Sequence, residues 1–353
     1  MQQTSLYKIT ALQNSSKESA EAAAKKYCLD NVSTYADPSA IASDPNVDIV
    51  AISVNVPEHY NLTKPAIQAG KDVFVEWPLA RNVGEAEELV QLAKEKGVKT
   101  MIGLQARQNP SILKAKEMVE SGKLGKILGT TMFGHGIIFG PTVHEEFLYA
   151  LPVEAGANIL TIPFGHAVDA LCYVLGEIKD ISATLANLRP ELDLVGKDGE
   201  PAGSVKKTAH DHVSITGRLV NGDGIVSVTY AGGVSYTNRD FYWEIIGTEG
   251  SLVLEGPKMG GHVQIHQPTI KFAKSNPTTG SYGISSDERH RLEDVEVERV
   301  EVPFNVGRAW DAWVGVGLDK GHRVTTFEDA LLRHKMIEAI YLSAEKGTRE
   351  NYL

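Results

Sequence analysis

Residues 48–54 read DIVAISV and residues 72–76 read DVFVE. Each is a short apolar run without polar alternation, followed by a stretch of helical spacing. Strands apolar throughout are buried on both faces, as in a parallel sheet covered by helices. Outward from these two, residues 7–12 (YKITAL) and 99–104 (KTMIGL) read as further strands of the same kind. The stretches at about 58–69, 84–96 and 110–121 carry helical periodicity. Residues 15–18 (SSKE) place Glu three after Ser, a capping box that opens an Ala-rich helix to about Tyr27. The first third thus predicts consecutive βα units in a Rossmann-like α/β domain.

The pattern changes after residue 122. Alternating, β-branched segments follow at 127–133, 180–188, 213–220, 225–230, 241–246 and 251–254, with hairpin-like turns such as NGDG at 221–224. They predict a mostly antiparallel sheet, open on one face and covered by helices on the other, in an α+β domain. Residues 257–294, rich in Gly, Ser and His, read as loop or edge, and two late helices are expected at 306–318 and 326–345. The expected division is 1–122 and 123–353, with the last helix packing back on the first domain.

Composition narrows the function. The chain has 353 residues and a formal net charge of −10. This acidity disfavours direct nucleic-acid binding. Two cysteines, Cys28 and Cys172, exclude a disulfide scaffold and suit a reducing compartment. The N-terminal residues lack a basic segment before an apolar run, and no stretch of 18 apolar residues occurs. Neither a signal peptide nor a membrane span is expected, and the location expected is cytoplasmic, extended to the nucleus for a regulator. Of 33 glycines the first is Gly70, where an even spread would put about six in the leading 69 residues. No turn there brings backbone close to a pyrophosphate through glycine.

Five strings carry a resemblance: VFVEWPL (73–79), GLQARQNP (103–110), FGHAVDALCYVLG (164–176), IIGTEGSLVLEG (245–256) and TFEDALLRHKMIEAIYLSAEKG (326–347). Together, and in this order, they resemble the Gfo/Idh/MocA (glucose–fructose oxidoreductase / inositol dehydrogenase) family, and within it the fungal galactose/lactose-metabolism regulators. The resemblance implies a Rossmann domain that binds NAD or NADP, a C-terminal domain whose open sheet forms a homodimer, and hydride exchange with a sugar or polyol carbon. It also implies a strand-ending Glu-Lys-Pro and a later Asp-x-x-x-His as the acid–base set. This chain departs from both: Trp77 follows Glu76 where lysine is usual, and Ile162 stands four residues before His166 where aspartate is usual. By the same alignment residues 7–12 match the family's second strand, so the first strand and its Gly-rich turn are expected to be missing.

The candidate residues follow from this alignment. His166 is the candidate acid–base group, with Asp169 orienting it or a loop; the plain alternative is a histidine at a helix start. Asn14, Ser15, Ser16 and Lys17 follow the strand whose end receives the adenosine ribose, and with hydroxyls and a lysine in place of an acid they favour NADP over NAD. Asn55 and His59 flank the next strand end, His59 reading equally as a ribose contact or a helix-start residue. Glu76 is placed for a ribose or backbone amides, Trp77 for lining the pocket, and Arg107 for a cofactor carboxamide or substrate, against plain readings as a structural carboxylate, a plug and a surface arginine. No metal site is expected, since His210 and His212 lack a third ligand at a recognisable spacing. The leading expectation is an NAD(P)-dependent oxidoreductase on a sugar, polyol or fungal small metabolite. A non-catalytic co-regulator binding dinucleotide and a partner protein stands beside it, as does a non-redox isomerase or lyase.

Overall fold

A computed structural model describes residues 5–258, 260–275, 291–302 and 304–353. In chain order the elements are β1 (Ala11–Gln13), α1 (Lys17–Lys26), β2 (Ser33–Tyr35), α2 (Pro38–Ala42), β3 (Ile49–Ile52), α3 (Val56–Gln68), β4 (Asp72–Glu76), α4 (Val83–Lys96) and β5 (Thr100–Gly103). After these come α5 (Pro110–Glu120), β6 (Ile127–Gly136), β7 (Thr142–His144), α6 (Gly165–Leu175), β8 (Ile178–Ala186), β9 (Glu191–Val195), β10 (Pro201–Lys206) and β11 (His212–Leu219). The remainder is β12 (Ile225–Gly232), β13 (Phe241–Gly247), β14 (Gly250–Glu255), β15 (Thr269–Lys274), β16 (Glu293–Asp294), α7 (Phe304–Trp313) and α8 (Phe327–Lys346). The chain forms two compact units: Met1–Gly103 with Val306–His334, and Leu104–Asn305 with Lys335–Leu353. The first unit is the Rossmann-like α/β domain, and the second is α+β with a large, mostly antiparallel sheet.

In the first unit all strand pairs are parallel, but the sheet lies in two pieces, β2–β1 and β3–β4–β5. β4 is the centre of the larger piece, and its Val73, Phe74 and Val75 are buried. Helices start where side chains satisfy their free N–H groups: Asp37 caps α2, Asn82 caps α4 through Glu85 N–H, and Gly97 ends α4 in the left-handed region at φ 66°. α7 brings Trp310 and Trp313 to this unit, and Trp310 meets Tyr7 and Phe74 at centroid distances of 5.1 and 5.0 Å.

In the second unit one sheet of eight strands runs β16-β15-β14-β13-β6-β12-β11-β8. Its central β6 pairs antiparallel with β13 and parallel with β12. Trp243, fully buried on β13, donates its indole N–H to Thr130 Oγ1 at 2.7 Å. A smaller sheet, β10-β9-β7, lies apart. α5, expected in the first domain, is in the second unit, where it packs on α6. Residues 153–175 are long and apolar enough to cross a membrane, yet their most apolar stretch is 89% buried. That is the signature of a core segment. The polar stretch at 257–294 yields β15 and β16 at the sheet edge, and its residues 276–290 lie outside the described ones.

Candidate functional site

In open α/β sheets ligands bind beyond the carboxyl ends of the strands. In the first unit those ends carry Asn14–Lys17 after β1, Asn55 after β3 and Glu76–Trp77 after β4. Ser16 caps α1: its Oγ accepts from Ser19 N–H at 3.1 Å, and Ser19 Oγ accepts from Ser16 N–H at 3.2 Å. The capping box is therefore Ser16–Ser19, one residue later than the expected Ser15–Glu18. Ser16 is committed to it, while Asn14, Ser15 and Lys17 remain exposed at the positively polarised helix start. Asn55 is exposed as well and makes no capping bond.

His59 has a different task from the expected ribose contact. It is 1% exposed, with Nδ1 2.7 Å from the Pro78 carbonyl and Nε2 3.0 Å from the Val54 carbonyl. The ring clips the chain ends after β3 and β4 together, donating to one carbonyl in its neutral form. Burial lowers its pKa and favours that form. Trp77 is also inside, at 4% exposure, with its ring 4.9 Å from that of His334. It plugs the interior of the first unit instead of lining a pocket. Burial, with His59 nearby, lowers His334 to about 3.

Glu76 was expected to meet a ribose or backbone amides, with a structural carboxylate as the plain alternative. It sits at the end of the central strand β4, and its carboxylate accepts the Trp77 N–H. That bond is outweighed by burial, which raises its pKa to about 7. The carboxylate lies over Gly103, where an added Cβ would collide with Oε2. Glycine at the end of β5 is what leaves the carboxylate room, a dependence invisible from spacing alone.

The second unit revises the expected acid–base pair. Asp169, fully buried on α6, is gripped by Arg107 through Nε–Oδ2 at 2.9 Å and Nη2–Oδ1 at 2.7 Å. Arg107, 14% exposed, also lies over the Tyr173 ring at 5.4 Å. Arg107 and Asp169 are thus joined in a two-point ion pair. His166 is 4% exposed, its Nδ1 has no hydrogen-bond partner, and burial with His262 nearby lowers it to about 3. A ring so hard to protonate is a poor proton carrier near neutrality. Sequence reading missed His262, whose Nε2 accepts from Ile137 N–H at 3.3 Å, because it lies in the segment read as loop.

His210–Asp211–His212 is built around the carboxylate. Asp211 accepts from His212 Nδ1 at 2.7 Å, from Leu188 and Arg189 N–H at 3.0 and 2.7 Å, and from Lys207 at 3.2 Å, and its pKa falls to about 2. Among the described residues no group of three His, Cys, Asp or Glu side chains is arranged for a metal. For a dinucleotide the fit is incomplete. The exposed hydroxyl and lysine at α1 suit a phosphorylated ribose, but no glycine among residues 5–69 supplies a pyrophosphate turn, and Gly70 sits behind α3. No hydride step follows from the described residues.

Comparison with known proteins adds two families, two relatives and one solved structure. Residues 1–104 match the oxidoreductase family, NAD-binding Rossmann fold, and residues 110–256 match the Gal80p C-terminal domain. The chain is 36% identical to dehydrogenase aclE of Aspergillus oryzae over 98% of its length and 89% of the relative. It is 28% identical to the galactose/lactose metabolism regulatory protein GAL80 of Saccharomyces cerevisiae over 99% and 89%. The crystal structure of a super-repressor mutant of Gal80p from the same yeast superposes with a TM-score of 0.87 at 27% identity, covering 99% of this chain and 91% of that one.

Proposed function

The chain belongs to the Gfo/Idh/MocA oxidoreductase family, and on that premise we propose that it is a nicotinamide-dependent oxidoreductase acting on a small hydroxylated molecule such as a sugar or polyol. In this reading Glu76 exchanges the proton, in place of His166 and Asp169. One observation carries it: the carboxyl at the end of β4 is held at about 7, near the working pH of a base. A bound dinucleotide would exchange the hydride. Oxidation of a carbinol also requires removal of the hydroxyl proton, and a carboxylate half-protonated near pH 7 suits that task in both directions. Trp77 carries no such proton, and Asp169 is tied to Arg107. Lys17 with Ser15, and the lack of a carboxylate within residues 14–17, favour NADP over NAD. The open sheet of the second unit is the face assigned to a homodimer.

A second reading is a regulator that binds a dinucleotide and a partner protein without turnover. It is supported by Trp77 and Ile162, which stand where the family's lysine and aspartate are usual, by the buried, hard-to-protonate His166, and by the likeness to GAL80. Nicotinamide fluorescence with NADPH and NADH, followed by turnover on a polyol panel, separates the two. Glu76→Gln should cut turnover about 100-fold or more with dinucleotide affinity within a few-fold. Unchanged turnover in Glu76→Gln, or no dinucleotide binding, overturns the oxidoreductase reading. Dinucleotide binding without any turnover favours the regulator.

A further inference from the structure

In the second unit β11 ends at Leu219 and β12 begins at Ile225, and residues 220–224 (VNGDG) turn the chain between them. Two backbone bonds hold the base of this turn. Leu219 N–H donates to the Gly224 carbonyl and Val220 N–H to the Glu177 carbonyl, each at 2.8 Å. The tip beyond them, Asn221 and Gly222, is exposed. Among the described residues neither the Asn221 amide nor the Gly222 N–H has a hydrogen-bond partner. Gly222 has φ 85° and open space where a Cβ would stand.

An asparagine followed by glycine carries its own nucleophile. The Gly222 nitrogen, once deprotonated, can reach Asn221 Cγ and close a five-membered imide. A side chain at 222 would obstruct that approach, and glycine has none. Asn221 is the one asparagine of the chain that glycine follows; Asn31, Asn46, Asn55 and Asn82 precede valine and Asn158 precedes isoleucine. Branching at Cβ shields the nitrogen at those positions. The turn also lies among cations. Lys179 is 2.8 Å from Asp223, and with Arg218 and Lys126 it holds the Asp223 carboxyl below the usual carboxylate range. The same field favours an amide anion at Gly222 and the oxyanion formed on attack. Asp223 too precedes a glycine, but its ionised carboxylate, paired with Lys179, is the poorer electrophile.

We propose that Asn221–Gly222 is a self-modifying site, at which the neutral Asn221 amide becomes a carboxylate with water as the sole co-reactant. In the first step the bond from Gly222 nitrogen to Asn221 Cγ forms and the Cγ–Nδ2 bond breaks. Ammonia leaves, carrying the proton of the Gly222 N–H. In the second step water opens the imide. Hydrolysis at Cγ restores the backbone and leaves aspartate; hydrolysis at the Asn221 backbone carbon routes the chain through Cγ as isoaspartate. Each product bears on α6. Gly176 ends that helix, and a Cβ on it would stand 3.1 Å from Asn221 Nδ2. A carboxylate here faces helix carbonyls that carry partial charge of the same sign. Isoaspartate also adds a backbone methylene to a turn closed by the Leu219–Gly224 bond, so it loosens the base of the turn more than aspartate does. The inference is independent of any redox activity.

The test incubates the full chain, without cofactor, at mildly alkaline pH beside a free capped peptide of residues 219–225. Peptide mapping by mass spectrometry follows amide loss at each asparagine. An isoaspartate-specific carboxyl methyltransferase with a labelled methyl donor counts the isomer. The expected result is loss of the Asn221 amide ahead of every other asparagine, faster as hydroxide rises, with isoaspartate in excess of aspartate. Asn221→Gln should take up no methyl label. In the converted protein, hydrogen exchange at Leu219 and Val220 should quicken about tenfold or more. Asn221→Asp, which brings the charge without the methylene, should quicken it less. An intact Asn221 amide after the free peptide has converted overturns the site, because the fold then keeps the nitrogen from Cγ. Methyl label undiminished in Asn221→Gln overturns it in favour of Asp223. Aspartate without isoaspartate overturns the imide route, and unaltered exchange at Leu219 and Val220 in converted protein overturns the loosening.

Discussion

The two sheets of this molecule solve the same problem with different completeness. In the second unit eight strands form one ladder, β6 has a partner on each side, and Trp243 is fully enclosed beside it. In the first unit five strands form two pieces, and aromatic contacts from α7 to Tyr7 and Phe74 connect their surroundings. Backbone pairing supplies continuity in one sheet, and side-chain packing supplies it in the other. The first unit should therefore depend more steeply on single large side chains than its strand content suggests.

The strongest test of that contrast is Trp310→Ala. Loss of a large buried aromatic costs about 3–5 kcal/mol, and the loss should appear as a lowered melting transition of the first unit with that of the second unchanged in calorimetry. Equal movement of both transitions would break the comparison. Next in size is Arg107→Ala, which strands the buried Asp169 charge and should cost about 3 kcal/mol, now in the second unit. Adding Asp169→Ala should recover part of that loss in a double-mutant cycle.

Acid tests both units together, because each contains a buried neutral histidine, His334 in the first and His166 in the second. Their folded pKa values lie near 3, below the ordinary value of about 6.5. The unfolded chain thus binds the extra protons, and this contribution to stability is complete above about pH 6.5 and lost as pH falls toward 3. Both melting midpoints should fall by several degrees between pH 7 and 4, with about 1 kcal/mol corresponding to 2–4 °C. Glu76 has the opposite sign. Its folded pKa of about 7 exceeds the ordinary 4.5, so its carboxyl becomes a penalty as pH rises from 4.5 through 7. Glu76→Gln should raise first-unit stability by about 1–2 kcal/mol at pH 8 and little at pH 4.5, the smallest of these effects.

Much of this organisation was legible in the sequence. Residues 72–76 become β4 with both ends as expected, because a central strand is apolar throughout and bounded by charge. Residues 7–12 give only Ala11–Gln13 as strand, since pairing is what sustains extended backbone and one side of that segment has none. Ser33–Tyr35 and Pro38–Ala42 escaped notice because elements so short show no period. For the site, position along the chain placed Glu76 but not the fates of its neighbours. Arg107 and Asp169 are 62 residues apart and meet only through tertiary folding. The burial of Trp77 and His59 depends on α8 and on the Pro78 carbonyl, neither of which a local pattern reveals.

The path of the chain also governs its biosynthesis. The first unit takes in Val306–His334, and the second takes in Lys335–Leu353. Its Ser343 accepts from Ala183 N–H at 2.9 Å and its Tyr352 from Ile178 N–H at 3.0 Å. Domains usually close in turn as they leave the ribosome. Here neither can close from the first 300 residues, so nascent strands such as β3 and β13 wait, exposed, until residues 306–353 have also been made. Folding yield in the cell should accordingly respond to chaperone supply and to the speed at which the codons for residues 306–353 are read.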